Sequence, residues 1–286
     1  AVPMNELDGW EPVSEVLVDA VPASAAVALH GLLDTPGEPP AAGDLLPPLW
    51  HWLTFLPRVP QRELGSDGHP RRGGFLPPVS LPRRMFAGGR LELRGPLRIA
   101  ETLTRASTIT SVEHKTGRSG ELVFVTVRHE ISQDAEPAVI EEQDLVYRGE
   151  TAPGVGAGPA PGPDGAGLGS WAWSWELPID PTVLFRFSAL TYNAHRIHYD
   201  RDYATQVEGY PGLVVHGPLQ AISLAELARR QADRPLSSFR FRALRPVFDE
   251  GPLRLRGAED GGTASLVAFD RHGQRSMEAD AVLAGR

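Results

Sequence analysis

Cysteine is absent from this chain of 286 residues, so disulfides, thiolate metal sites and a cysteine nucleophile are excluded. Lysine is nearly absent: Lys115 stands alone, and arginine carries almost all the basic charge. With the abundance of Ala, Gly and Pro, this reads as a bias of base composition rather than as chemistry. No apolar run approaches the ~20 residues that span a bilayer. The opening Ala-Val-Pro-Met-Asn-Glu also lacks a basic stretch followed by an apolar one. No membrane contact and a cytoplasmic location are therefore expected. Neither a Gly-x-Gly-x-x-Gly nor a Walker pattern occurs, so nucleotide chemistry has no support. The net charge of −8 argues against a nucleic-acid partner, which requires a basic surface. A local arginine cluster for a phosphorylated ligand is still compatible with that charge, and Arg83, Arg84 and Arg90 are candidates.

What is present suffices for a core: hydrophobic residues make up 41% of the chain, and the length suits one large domain or two ordinary ones. The clearest boundary is the Pro/Gly-rich stretch 151–169. Such density prevents helix and sheet alike, so it reads as a linker between domains at 1–150 and 170–286. The two sides look like distant copies. Leu122-Val-Phe-Val-Thr-Val-Arg-His129 alternates as a half-buried strand does, and Leu266-Val-Ala-Phe-Asp-Arg-His272 echoes it. Leu93-Arg-Gly-Pro-Leu97 has a counterpart in Leu244-Arg-Pro-Val247. The pattern predicts a duplicated α+β unit, an antiparallel sheet wrapped around a helix. Apolar spacing predicts the central helix of the second copy over Gly217 to Arg230, with Arg229 and Arg230 complementing the dipole in the last turn. In the first copy, Pro57 to Met85 is too rich in Pro and Gly for a long helix. A short one is predicted over Ser24 to Leu33, with Ser24 as its cap.

Chemistry concentrates in Ser188-Ala-Leu-Thr-Tyr-Asn-Ala-His-Arg-Ile-His-Tyr-Asp200, where Asn193, His195, His198, Tyr199 and Asp200 crowd together between apolar segments. Val215-His-Gly-Pro-Leu219 follows, the end of a strand-like apolar run opening into the predicted helix. Glycine there lets backbone approach a ligand, and the free N–H groups of a helix start can hold a carbonyl oxygen that gains negative charge. A base-bearing loop and an oxyanion-binding helix start suit an acyl thioester. His195 and His198 are spaced as metal ligands on one helical face can be, but no companion ligand set accompanies them, so no metal is expected.

These residues resemble the hydratase motif of the MaoC-like, hot-dog-fold enoyl-CoA hydratases and dehydratases. The resemblance puts His198 on the family's catalytic His and Gly217 on its oxyanion-hole Gly. It puts Asn193 on the family's catalytic Asp, and an amide cannot serve as a base. Leu46-Pro-Pro-Leu-Trp-His-Trp52, Leu64-Gly-Ser-Asp-Gly-His-Pro70, Leu81-Pro-Arg-Arg-Met-Phe-Ala-Gly-Gly89, Lys115-Thr-Gly-Arg-Ser-Gly120 and Glu141-Glu-Gln-Asp-Leu-Val-Tyr-Arg148 resemble the branch with mesaconyl-C4-CoA and itaconyl-CoA hydratases, in which Asn is usual at that position.

The resemblance implies an α+β double hot-dog whose first half has lost the catalytic turn and shapes the pocket. It implies reversible hydration of an enoyl-CoA, a branched C5 dicarboxylic acyl-CoA that gives citramalyl-CoA. No cofactor is needed beyond the CoA of the substrate, and a homodimer or larger homo-oligomer is expected. In hydration His198 would take a proton from water, alone or with a carboxylate such as Asp200 or Glu208 in place of the missing Asp. Asn193 would orient water through its carbonyl oxygen, and Asp200 reads better as a cap for the next turn. Loss of a donor like the Gly217 N–H costs about 3 kcal/mol in such reactions. His51, Arg83, Arg84, His195 and His216 are the candidates for contacts with substrate. His216 reads more readily as a brace for its turn, whereas Arg is suited to a free carboxylate. Two rivals stay open: a 3-hydroxyacyl-thioester dehydratase of fatty-acid or polyketide synthesis, and a non-catalytic acyl-CoA-binding subunit in which Asn193 marks a dead site.

Overall fold

The computed structural model describes residues 9–117, 120–149 and 170–285; the stretch read as a linker, 151–169, lies outside the described residues. Each half begins with a short strand and a short helix: β1 (Glu15–Ala20) and α1 (Ala23–Leu32), then β6 (Trp173–Leu177) and α2 (Pro181–Leu190). The first half continues with β2 (Arg83–Leu93), β3 (Thr102–Gly117), β4 (Gly120–Ser132) and β5 (Pro137–Arg148). The second inserts α3 (Gly217–Gln231) before β7 (Leu236–Ala243), β8 (Leu253–Asp260), β9 (Thr263–Phe269) and β10 (Arg275–Leu283). All form one 10-stranded antiparallel sheet in the order β1-β3-β4-β5-β2-β7-β10-β9-β8-β6. Outward from the β2–β7 seam, both halves follow the same order, so the duplicated α+β unit inferred from sequence is real. The arrangement is the expected double hot-dog, its two sheets joined edge to edge.

Glycines make the seam. Gly88 pairs with Arg242 and Gly89 with Phe241, next to a bulge after Phe86. A Cβ on Gly88 would lie 2.6 Å from the Phe241 carbonyl oxygen, and one on Gly89 would lie 2.8 Å from that of Glu142.

The repeat extends to the turns. Arg94 and Gly95 donate to the Ala138 carbonyl at 2.8 and 3.1 Å; Leu244 and Arg245 do the same to Ser276 at 2.8 and 3.3 Å. Leu45 bridges Arg98 as Val214 bridges Phe248. The apolar run before Gly217 is therefore buried and extended with a single bridge, not a strand: its backbone partners are Ile197 and residues 247–249, none of them in a strand of the sheet. Beyond these matched points the halves part. Val215 leads into α3, every residue of which from Leu219 to Ala228 is buried, and which packs on β6 to β10. Leu46 leads instead into a 3-10 turn, Trp50–Leu53. Pro57 and Pro60 fall where a helix from that point would need N–H donors.

The first half's own helix, α1, packs on α2 and on that turn. It starts at Ala23 behind Pro22, with no side-chain cap, so Ser24 is not the cap that its residue type suggests. The Ser24 side chain lies exposed one position inside the helix. A single apolar core crosses both halves, with Leu29, Trp50, Leu91, Phe187, Leu219 and Ile222 among its members. A smaller cluster of Val79 and Leu81 on Val123, Val125 and Tyr147 pins the irregular segment before β2 onto the first sheet. That anchoring lets the segment reach across to the second half.

Candidate active site

The site grows from the end of α2 and the start of α3. Asp180 caps α2, accepting the Val183 N–H at 2.8 Å, and Pro181 fills the first helical position. At the far end the Thr191 hydroxyl donates to the Phe187 carbonyl at 2.8 Å, and the helix stops. Asn193 makes the next turn: its N–H donates to the Ser188 carbonyl at 2.8 Å, and its side-chain oxygen accepts the His195 N–H at 3.0 Å. The carbonyl oxygen expected to orient water thus already accepts one backbone N–H. Asp200 accepts the Tyr203 N–H at 3.0 Å and pairs with Arg196 at 2.8 Å. It is the cap that the sequence suggests.

His198 follows in a 3-10 turn, Arg196–His198, and is 7% exposed. Its Nδ1 lies 2.7 Å from the Val214 carbonyl oxygen. A carbonyl only accepts, so Nδ1 carries the proton and Nε2 keeps its lone pair. Burial brings the imidazole down to about 4, against the opposing pull of the Val214 carbonyl. The ring is therefore neutral at neutral pH and stays a base well into the acid range. His216 stacks under it at 3.7 Å. It is fully buried and its Nε2 lies 2.8 Å from Ser188 Oγ. That position suits a brace between α2 and α3. His195 stands edge-on to His198 at 5.4 Å. Gly217 opens α3, and a Cβ there would meet the Phe86 ring of β2 at an ordinary 3.5 Å. Its N–H belongs to the first turn, which has no intrahelical acceptor.

The first half completes the site through its 64–72 loop. The Arg196 N–H donates to the Asp67 carbonyl at 2.9 Å, and Arg196 Nη1 donates to the Ser66 carbonyl at 3.1 Å. Gly68, at φ +91°, sits so close that a Cβ would lie 1.9 Å from the Ala194 carbonyl oxygen. The contact brings His69 to 4.0 Å from the His195 ring. Four imidazoles then run inward in order: His69, His195, His198, His216. Burial lowers His195, helped by its neighbours His69 and His198. Asp67 accepts the His69 N–H at 3.0 Å and holds its Nδ1 at 3.1 Å. Burial acts to raise Asp67, yet the hydrogen bond and charge of His69 hold its carboxyl far below the usual range.

Beside this loop lies a cavity of about 760 Å³, walled by residues 65–72, 82–84 and 203–209 in part, including Arg71, Arg72, Arg83 and Arg84. Arg83 is paired with Glu208 at 3.2 Å, and Arg72 donates to the Val79 and Pro82 carbonyls at 2.7 Å each. Arg84 lies near the Tyr147 hydroxyl and has no carboxylate partner among the described residues. Glu208 and Asp200, the carboxylates considered for the missing Asp, are both held by arginines. His51 does not join the site. The turn that replaces a helix in the first half points it at β5, where its Nε2 lies 2.8 Å from Glu141 Oε2 with both side chains buried. Trp52 donates to the other oxygen of Glu141 at 2.8 Å. Sequence alone assigns no role to Asp67 or His69; their place within a recognisable motif is the only signal, and it does not show which loop they meet.

Comparison with known proteins points the same way. The profile of the hydroxyacyl-thioester dehydratase type 2 family matches residues 49–249. The mesaconyl-C(4)-CoA hydratase of Chloroflexus aurantiacus is 48% identical over 276 residues, covering 96% of this chain and 97% of that protein. The mitochondrial hydroxyacyl-thioester dehydratase type 2 of Schizosaccharomyces pombe is 32% identical over 242 residues, 76% of this chain and 79% of that one. Among solved structures, HtdX of Mycobacterium tuberculosis superposes with a TM-score of 0.66 at 17% identity, over 95% of this chain and all of that chain, 100%. A MaoC-like dehydratase gives 0.68 at 14% identity, over 98% and 100% of the two chains. These last two speak for the fold alone.

Proposed function

This chain belongs to the hydroxyacyl-thioester dehydratase type 2 family, and from that premise we propose that it is a hydro-lyase that adds water reversibly to mesaconyl-C4-CoA or a similar branched dicarboxylic enoyl-CoA. The observation that carries the substrate class is Arg84, a cation on the cavity wall without a carboxylate partner among the described residues. A free carboxylate on the acyl group supplies one, and a planar guanidinium holds it by two hydrogen bonds. The 48% identity to a mesaconyl-C(4)-CoA hydratase supports the same choice.

In this reading His198 Nε2 takes a proton from water as the water oxygen bonds to the β-carbon. The displaced π electrons move toward the thioester carbonyl, whose oxygen receives the Gly217 N–H. The proton then passes from the His198 imidazolium to the α-carbon. Asn193 holds the turn that aims His198. The relative from Schizosaccharomyces pombe favours a second reading, a 3-hydroxyacyl-thioester dehydratase that acts on plain chains. Arg84→Gln separates them: it should raise KM for mesaconyl-C4-CoA about 10- to 100-fold, the loss expected of a charged hydrogen bond. Turnover of crotonyl-CoA, which has no carboxylate, should not change. Equal effects on both thioesters, or none, would favour the plain-chain dehydratase. As for assembly, a homo-oligomer of this acyl-CoA enzyme is part of the same proposal. Among the described residues no helix is long and apolar enough to cross a membrane.

A further inference from the structure

We infer that His69, held by Asp67, is a second catalytic residue of this hydratase: it grips the attacking water in place of the carboxylate that position 193 lacks. The inference rests on the hydratase reading above. Asn193 has a carbonyl oxygen, but that oxygen accepts the His195 N–H at 3.0 Å. Asp200 and Glu208 are ion-paired with Arg196 and Arg83. Neither carboxylate weighed for the role thus stands unpaired to partner His198.

The first half offers an acceptor. Asp67 Oδ1 accepts the His69 backbone N–H at 3.0 Å, and Oδ2 lies 3.1 Å from Nδ1 of the same ring. With the Nδ1 proton directed to a carboxylate, Nε2 keeps its lone pair. His69 is also the one imidazole on the wall of the arginine-lined cavity among the described residues, and His195 packs against both it and His198. The loop that carries it is clamped to the catalytic turn by the two Arg196 hydrogen bonds and by the close approach of Gly68. A loop with only a covering role would need the clamp. It would not need an aspartate–histidine pair facing the cavity.

In the reaction, water donates one hydrogen bond to His198 Nε2 and the other to His69 Nε2, and its lone pair faces the β-carbon. The carbon–oxygen bond forms as His198 takes the first proton. The carbon–carbon π pair shifts into the thioester enolate, and the His198 proton returns to the α-carbon. The second water proton stays on the new hydroxyl, still hydrogen-bonded to His69. Asp67 acts through His69 and is a positioning residue.

The test measures kcat and KM of His69→Ala, Asp67→Asn and the double variant His69→Ala/Asn193→Asp on the enoyl-CoA that the wild type hydrates. His69→Ala should lower kcat about 10- to 100-fold with little change in KM, as expected for an interaction made in the transition state. Asp67→Asn keeps the shape of the turn. Its single oxygen cannot accept from both the His69 N–H and the ring, so the ring tautomer is lost and kcat falls similarly at an unchanged melting temperature. Asn193→Asp restores an acceptor beside His198 and should recover much of the kcat lost in His69→Ala. Full turnover in folded His69→Ala overturns the inference, as does loss in His69→Ala without rescue by Asp at 193. If chelation abolishes wild-type activity and zinc restores it, the cluster of Asp67, His69 and His195, with ligand atoms within 4.8 Å of one another, holds an ion and the inference also fails. A wild type that hydrates no enoyl-CoA would defeat the hydratase reading itself, and this inference with it.

Discussion

The Val214 carbonyl fixes the Nδ1–H tautomer of His198, and burial lowers the ring to about 4. A general base must be unprotonated, so activity is lost as pH falls through its pKa. The acid limb of kcat/KM, measured against pH with a saturable enoyl-CoA, should therefore lie near 4 instead of near the ordinary histidine value of about 6.5. An acid limb at the ordinary value would mean that the ring is solvated during turnover. His198→Ala should reduce kcat about 10²- to 10⁴-fold with binding preserved. The crowd of polar neighbours marks His198 as reactive in the sequence, whereas the identity of its free nitrogen depends on a carbonyl sixteen residues away. His51 is the converse case. An imidazole between two tryptophans looks available for a ligand, yet sequence shows the residue type and not the direction it faces, and the ring is spent on Glu141. Asp67 and His69 are hidden for a related reason, because what gives them meaning is a contact with residues far along the chain.

At the scale of elements, periodicity is a sound guide where one face is buried. The spacing of Leu219, Ile222 and Leu227 predicts α3 to within a residue of its end. The alternation of Leu122 to His129 predicts the middle of β4. Periodicity fails where caps and short extended runs are concerned. Ser24 falls inside a helix that already starts at Ala23, and Val214–Val215 are settled by tertiary partners, which local pattern does not report. The 64–72 loop, which the sequence marks by a motif and as part of a Pro/Gly-rich obstacle to helix, docks against the histidine turn. Its docking depends on Gly68, where a side chain meets both a positive φ and the Ala194 carbonyl. Gly68→Ala should push the loop off the catalytic turn, and kcat should fall about 10-fold or more while the core, and so the melting temperature, changes little. A variant with wild-type kcat would show that the contact is not needed for chemistry.

For the whole molecule, the two copies share topology and turns but have divided their work. The second keeps α3 and the histidine turn, and the first has given up its long helix and sends a loop across to its partner. The duplication is legible in the echoed strands and Pro/Gly turns. The edge-to-edge seam at Gly88 and Gly89 is not, since nothing in a glycine pair shows which strand will approach it. The division places an arginine-lined cavity beside the loop that meets the histidine turn, and it leads to the claim that this hydro-lyase prefers a dicarboxylic enoyl thioester. The most direct measurement is the rate at which wild-type protein removes the conjugated absorbance of mesaconyl-C4-CoA compared with crotonyl-CoA. A site built to pair with the free carboxylate should give a kcat/KM about 10²-fold or more in favour of mesaconyl-C4-CoA. Equal rates, a preference for crotonyl-CoA, or no consumption of either would contradict it.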